Sequence, residues 1–150
     1  MKLLLIHADR FWWRVREAAR GLRVRDEPEP AEAEFTDVVV AFTCVEEGDG
    51  ARLGEVVAKA ADTIAEFASR VGCEKVLLYP YAHLSTRLAR PEVAMAALRE
   101  LQAALVARGL AVTRSPFGYY KEFMLHCKGH PLSEASVSYT HLTLPTKRIV

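Results

Sequence analysis

"LGEVVAKAADTIAEFASRVGCEKVLLYP", residues 53–80, decides the fold class. Leu53, Val56, Val57, Ala60, Ala61, Ile64, Phe67, Ala68 and Val71 return at three- and four-residue steps, so one face of a helix is apolar. Gly72 suits the left-handed position at which such a helix stops. Three residues on comes "KVLLYP" (75–80), a short apolar run of the kind that a strand buried on both faces requires. Pro80 ends it. A helix that closes on glycine and feeds a buried strand belongs to an α/β domain.

The pattern extends in both directions. Upstream, "TDVVVAFTCVEEGDG" (36–50) carries a β-branched run from Val38 to Val45, ended by Gly48 and Gly50. "KLLLIH" (2–7) reads as a first buried strand. Downstream, Pro91 stands where a first helical residue is tolerated. Val93, Ala94, Ala97, Leu98, Leu101 and Leu105 form a second buried helix face, and Gly109 closes it. "LAVTRSP" (110–116) is a strand, and "GYYKEFMLHCKG" (118–129) alternates as a final one. In that last strand Tyr119, Lys121, Phe123, Leu125 and Cys127 share one face, and Tyr120, Glu122, Met124 and His126 share the other. The order strand, strand, helix, strand, helix, strand, strand predicts a single α/β domain: a mixed β-sheet with two helices packed on one side. Residues 14–35 carry no motif, and Pro28 and Pro30 in "DEPEPAEAE" (26–34) favour an exposed loop there.

With 150 residues, one domain with one core is the default. The apolar start is too short for a signal peptide and no run is long enough to span a membrane, so a cytoplasmic protein is expected. Cys44, Cys73 and Cys127 are widely spaced and odd in number, which fits reduced thiols rather than a disulfide framework. "VSYTHLTLPTKRIV" (137–150) has no helical period and resembles a translated vector sequence. The domain is therefore placed at 1–136. Without the tail the balance is 18 basic against 19 acidic residues. Such a near-neutral domain is poorly suited to gripping long nucleic acid, but it could hold one end of an RNA. No glycine-rich phosphate loop is present, so no nucleotide cofactor is implied.

"PFGYYKEFMLHCKGHPLSE" (116–134) concentrates the polar groups that could do chemistry. His126, Cys127 and His130, with His83 and Cys44, are candidate metal ligands. Adjacent strand residues point to opposite faces, however, and the paired ligand motifs of zinc sites are missing. Cys127 with His130 or His83 could form a thiolate pair, but a small core cysteine accounts for it as well. Lys121 sits on an apolar face between Tyr119 and Phe123. The residues alone favour an amine that reaches water at a sheet edge. The other reading is a charged group at a pocket mouth, holding a water or stabilising a carbonyl oxygen, with Glu134 as its pair or as an anchor for a substrate amine. "YPYAHLS" (79–85) leaves backbone groups of Pro80, Tyr81 and Ala82 available at a strand end, with His83 just beyond. The roles of His126 and of Trp12 and Trp13 stay open.

"LLLIHAD" (3–9), "VAFTCVE" (40–46), "LYPYAHLS" (78–85) and "SPFGYYKEFMLHCKGHPL" (115–132), taken together and in this order, resemble the N-terminal editing domain of archaeal threonyl-tRNA synthetase. The likeness covers nearly all of 1–136. It implies a D-aminoacyl-tRNA deacylase-like fold, a homodimer, and hydrolysis of L-seryl-tRNA(Thr) with threonyl-tRNA(Thr) spared. By matching motif, Lys121, Tyr120, His83 and Glu134 would handle substrate and hydrolysis. Val45, Pro80, Tyr81, Ala82, Phe117 and Tyr119 would bind substrate, with Val45, Pro80, Ala82 and Phe117 around the serine moiety. The implied partners are the serine-bearing 3′ end of tRNA(Thr) and the remainder of the synthetase. The scheme has no membrane, no cofactor and no metal, and the RNA 2′-hydroxyl is its other candidate for assisting the reaction. The alternatives are a D-aminoacyl-tRNA deacylase and a non-catalytic tRNA-binding or dimerisation module.

Overall fold

The computed structural model describes residues 1–139 and the backbone of 146–149. The strands are β1 (Lys2–Ala18), β2 (Glu32–Cys44), β3 (Lys75–Pro80), β4 (Ala111–Arg114), β5 (Tyr119–Cys127), β6 (Glu134–Ser138) and β7 (Thr146–Ile149). The helices are α1 (Leu53–Val71) and α2 (Pro91–Ala107), with 3-10 turns at Asp49–Arg52 and Ala82–Leu84. The sheet runs β4-β3-β2-β1-β6-β7, and β5 also pairs with β1. Strands β2, β3 and β4 are parallel neighbours, which requires crossovers, and α1 and α2 supply them. All pairs made by β1 are antiparallel. The sheet is therefore mixed, as expected.

Strand alternation divides the interior in two. Leu3, Leu5, Val39, Ala41, Val76 and Leu78 face α1 and α2. Ile6, Val38, Val40, Phe42, Leu77 and Tyr79 face the other way, toward Phe11 and Trp13. Both helices thus lie on one face. The expected boundaries hold: Gly72 caps α1 at φ 68°, and Pro91 opens α2.

Three expectations change. Strand β1 continues eleven residues beyond His7, to Ala18. Phe11 and Trp13 are fully buried, while Arg10 and Arg14 point out and meet Glu34 and Glu32 across the β1–β2 ladder at 2.6 and 3.0 Å. The acidic stretch therefore enters β2 at Glu32 and shortens the expected loop to 19–31. One edge of β1 also accommodates two strands, β6 along Lys2–Ile6 and β5 along Ala8–Ala18, with an irregularity between Ala8 and Arg10. Finally, Val137 and Ser138 belong to β6, and Tyr139 is buried with its amide bonded to the carbonyl of Met1 at 2.8 Å. The fold thus uses Val137, Ser138 and Tyr139, and pairs Thr146–Ile149 with β6, although the sequence pattern places all of these in the tail; a foreign origin for that tail is a proposal.

Candidate functional site

Where β2 and β3 end, the chain opens a cavity of about 480 Å³. Thr43, Cys44 and Val45 form its floor, and Tyr79 to His83 form one side. The first turns of α2 form a second side, through Pro91, Ala94 and Leu98. The remaining wall is Phe117 to Lys121 with Phe123, closed by Ala19 and Leu22 of the 19–31 loop.

Lys121 is the chemically distinctive group. Its Nζ lies 2.6 Å from Oγ of Ser115, a fully buried hydroxyl, and 4.5 Å from the centre of the Tyr79 ring. Trp13 is 5.8 Å away on another side. Burial lowers the amine to about 7, and the charge of Asp26 only partly opposes that shift. The amine is therefore divided between charged and neutral forms near neutral pH. The expectation of a side chain reaching water at a sheet edge is replaced by an amine held inward on a hydroxyl and an aromatic face. The face shared by Tyr119, Lys121 and Phe123 turns toward the cavity because β5 folds over the Phe11–Trp13 half of β1.

The 19–31 loop is fastened by Asp26, which is 7% exposed. Its Oδ2 accepts the Phe117 N–H at 2.9 Å, and its Oδ1 accepts from Arg99 of α2 at 3.1 Å. Arg114 of β4 adds an ion pair at 3.4 Å. The main chain of Asp26 donates to the Phe117 carbonyl at 3.1 Å and accepts the Tyr119 hydroxyl at 2.7 Å. Gly118 sits in this joint at φ 95°, and a β-carbon there would come within 2.5 Å of Arg25 Cβ. Only glycine satisfies both the torsion and the close approach.

Of the ten residues singled out by sequence, nine line the cavity: Val45, Pro80, Tyr81, Ala82, His83, Phe117, Tyr119, Tyr120 and Lys121. Glu134 does not. It lies on β6 opposite Ile6, on the first half of β1. His83 is exposed, with its ring edge-on to Tyr81 at 5.3 Å. Tyr120 is 48% exposed, and its hydroxyl accepts from the Arg20 amide at 3.4 Å. The Tyr119 hydroxyl is committed to Asp26, so Tyr119 serves as wall. The backbone beyond Pro80 is less available than expected, because Tyr81 N–H donates to Thr43 C=O at 2.9 Å and continues the parallel ladder. Ser115 and Asp26 were not candidates. Ser115 lies at the start of a motif already noted, while Asp26 sits in a charged stretch with no signal to distinguish it.

The cluster of His126, Cys127 and His130 is dispersed. Cys127 packs against the Phe11–Trp13 core, His126 faces Asp9 at 3.8 Å, and His130 contacts His7 at 2.8 Å. The thiol of Cys44 points to the Ala82 carbonyl at 3.8 Å, and burial, its largest influence, raises its pKa.

The family model for the archaea-specific editing domain of threonyl-tRNA synthetase matches residues 1–139. The chain belongs to that family. Over 142 residues it is 46% identical to a threonine–tRNA ligase editing subunit of Aeropyrum pernix, spanning 93% of this chain and 32% of that protein. Threonine–tRNA ligases of Thermococcus gammatolerans and Pyrococcus horikoshii are each 43% identical over 136 residues, spanning 91% of this chain and 22% of theirs. The chain thus spans about a third or less of the length of these relatives. A c-Myc DNA unwinding element binding protein shares the fold, with a TM-score of 0.59 at 11% identity, across 93% of this editing domain and 99% of that chain. At that identity the likeness concerns the fold alone. Among the described residues of the editing domain, no helix is long and apolar enough to cross a membrane.

Proposed function

We propose that this editing domain hydrolyses the ester of L-seryl-tRNA(Thr) and spares threonyl-tRNA(Thr), acting in the cytoplasm on the 3′ end of tRNA(Thr) beside the rest of the synthetase. The observation that carries the reading is Lys121, held on Ser115 inside a cavity whose walls include nine of the ten residues matched by motif. An aminoacyl ester is already activated. Water adds to its carbonyl carbon, and the tetrahedral oxyanion collapses to free serine and the RNA 3′-hydroxyl. That sequence calls for a positioned water and a positive group near the oxyanion, and no protein nucleophile. Lys121 supplies the charge when protonated. When neutral, the same amine accepts a proton from the water.

The cavity falls within the roughly 300–1,000 Å³ of small-ligand sites, so it suits an aminoacyl group and part of a nucleoside rather than a duplex. Tyr81 and Phe123 at its side offer aromatic faces on which a terminal base can stack. One methyl separates the two substrates, and an apolar pocket distinguishes that by only about 1–3 kcal/mol of affinity. Exclusion by a rigid wall is the stronger device. Val45 is 5% exposed and its carbonyl is bonded to Ala89, which makes it such a wall.

Deacylation of L-seryl-, L-threonyl- and D-seryl-tRNA(Thr) by the purified chain tests the reading. Loss of L-serine alone is expected, with Lys121→Met slowing it about a hundredfold or more. Loss of D-serine alone would make the chain a chiral proofreader. No loss of any ester would leave a binding module. A homodimer, with Glu134 outside this cavity, belongs to the same proposal and is read from the mass in solution.

A further inference from the structure

At the other end of β2 and β3, roughly 20 Å from the cavity by strand rise, three side chains from three segments converge. His7 of β1, Asp37 of β2 and Cys73 before β3 each bring one ligating atom within 4.8 Å of the other two. His7 and Cys73 are buried, and Asp37 is exposed. Nε2 of His7 lies 2.8 Å from Oδ1 of Asp37. Among the described residues, Asp37 is the only non-glycine with a positive φ, 51°, where the ladder between Ala8–Val38 and Arg10–Thr36 lapses. The cavity chemistry uses none of these residues.

We propose that His7, Asp37 and Cys73 form a site for a thiophilic divalent cation, zinc foremost, with water as the fourth ligand. One imidazole, one carboxylate and one thiolate are the donor types that zinc takes in tetrahedral sites. Cys73 gives up only weak hydrogen bonds on metallation, those of its thiol to the carbonyls of Asp37 and Lys75 at 3.3 and 3.5 Å. Oδ1 of Asp37 already lies beside Nε2 of His7, so the carboxylate and the imidazole converge before any ion enters. Lys128 is 3.5 Å from that oxygen but 3.1 Å from Asp9, which retains it as the cation enters. Asp37 and Cys73 also line a cleft of about 660 Å³, which admits the ion and its water.

His130 supports the ligand set from behind, its Nε2 being 2.8 Å from Nδ1 of His7. A ligating imidazole needs such a partner on its second nitrogen. With the metal on Nε2, neutral His7 keeps its proton on Nδ1 and donates it to His130. His130 then carries its own proton on Nδ1, and the Leu132 amide, 3.2 Å from that atom, turns to water. The two histidines hold two protons before and after, so the proton released is that of the Cys73 thiol.

The test is titration of the chelator-stripped full chain with Co²⁺ as an optical surrogate. We expect a thiolate-to-cobalt charge-transfer band in the near ultraviolet that saturates at one equivalent and is bleached by Zn²⁺. Cys73→Ser should abolish the band, and Asp37→Asn should weaken binding about tenfold or more. Cys44→Ser and Cys127→Ser should leave it unchanged. The inference is overturned by no band at one equivalent, by a band that survives Cys73→Ser in a folded variant, or by saturation only at large excess, as an adventitious ion would show.

Discussion

Replacing Asp26 tests whether the 19–31 loop is part of the site or a cover over it. In Asp26→Ala the Phe117 amide loses its acceptor and Arg114, whose side chain is 18% exposed, loses its counter-charge, while Arg99, at 56%, turns to water. Removing one side of a buried ion pair costs about 3–5 kcal/mol. The exposed Arg99 places this case near the low end, at about 3 kcal/mol. For a domain of this size that lowers Tm by roughly 6–12 °C. Asp26→Asn keeps an acceptor for Phe117 and loses only the charge, so about 1–2 kcal/mol is expected. The wall that loosens carries Phe117 and Tyr119, and a displacement of an ångström there costs about a hundredfold in rate. A second effect separates position from electrostatics. Asp26 is the charge that raises the Lys121 pKa against burial, so Asp26→Asn should move the alkaline limb of Lys121 titration further below its present value near 7. Thermal unfolding and single-turnover deacylation across pH measure both effects. An Asp26→Ala chain with native Tm and native rate, or an Asn variant whose limb moves upward, would refute the reasoning.

Lys121 itself should cost the fold stability at acid pH. Its folded pKa of about 7 lies below the ordinary lysine value of 10.5. Between those values the unfolded chain binds the extra proton, so stability rises with pH across that window and the penalty is complete below it. Lys121→Met should therefore flatten that slope in denaturant titrations and be more stable than the parent at pH 6, even as it slows deacylation. Gly118→Ala meets both a φ of 95° and the Arg25 β-carbon at 2.5 Å. It should lose about 1–3 kcal/mol in chemical denaturation and share the kinetic defect of Asp26→Ala. Leu101→Ala, at a fully buried site between α2 and the sheet, should cost about 2–5 kcal/mol by the same measurement. Arg14→Ala, with a side chain 53% exposed, should stay within about 1 kcal/mol.

What the sequence disclosed depends on how local each signal is. The helix α1, strand β3 and the Gly72 stop are written in neighbouring residues, so periodicity finds them. Strand β1 is cut short in the sequence pattern because Asp9 and Arg10 interrupt the apolar run. The continuation is marked only by Phe11 and Trp13 alternating with arginines whose partners lie on another strand. Strand β6 escapes the pattern because "EASVS" has almost no β-branched content, and its stability comes from pairing with β1. The site is legible where one motif holds it, at 79–83 and 117–121. Asp26 is not, since its hydrogen-bond partners stand 73 to 93 residues away. Lys121 is visible as an oddity, but its orientation depends on β5 folding over β1, which no local pattern encodes.

The same placement links the strained parts of the molecule to its proposed chemistry. A lysine without a carboxylate in hydrogen-bond reach is costly to bury, and its one bonded partner among the described contacts is the Ser115 hydroxyl. The fold bears that cost through the ring of Tyr79 and the more distant charge of Asp26. A closer carboxylate would stabilise the domain more, but it would also fix the amine in its charged form and occupy the donor that an oxyanion requires. Keeping the counter-charge on the far side of the wall leaves the ammonium deficient in hydrogen bonds, and a developing negative oxygen can supply them in the transition state. On this argument Asp26 must lie near enough to sustain partial protonation and too far to pair. Ser115→Asp, which brings a carboxylate into contact, should therefore raise the Lys121 pKa while lowering the rate of ester hydrolysis.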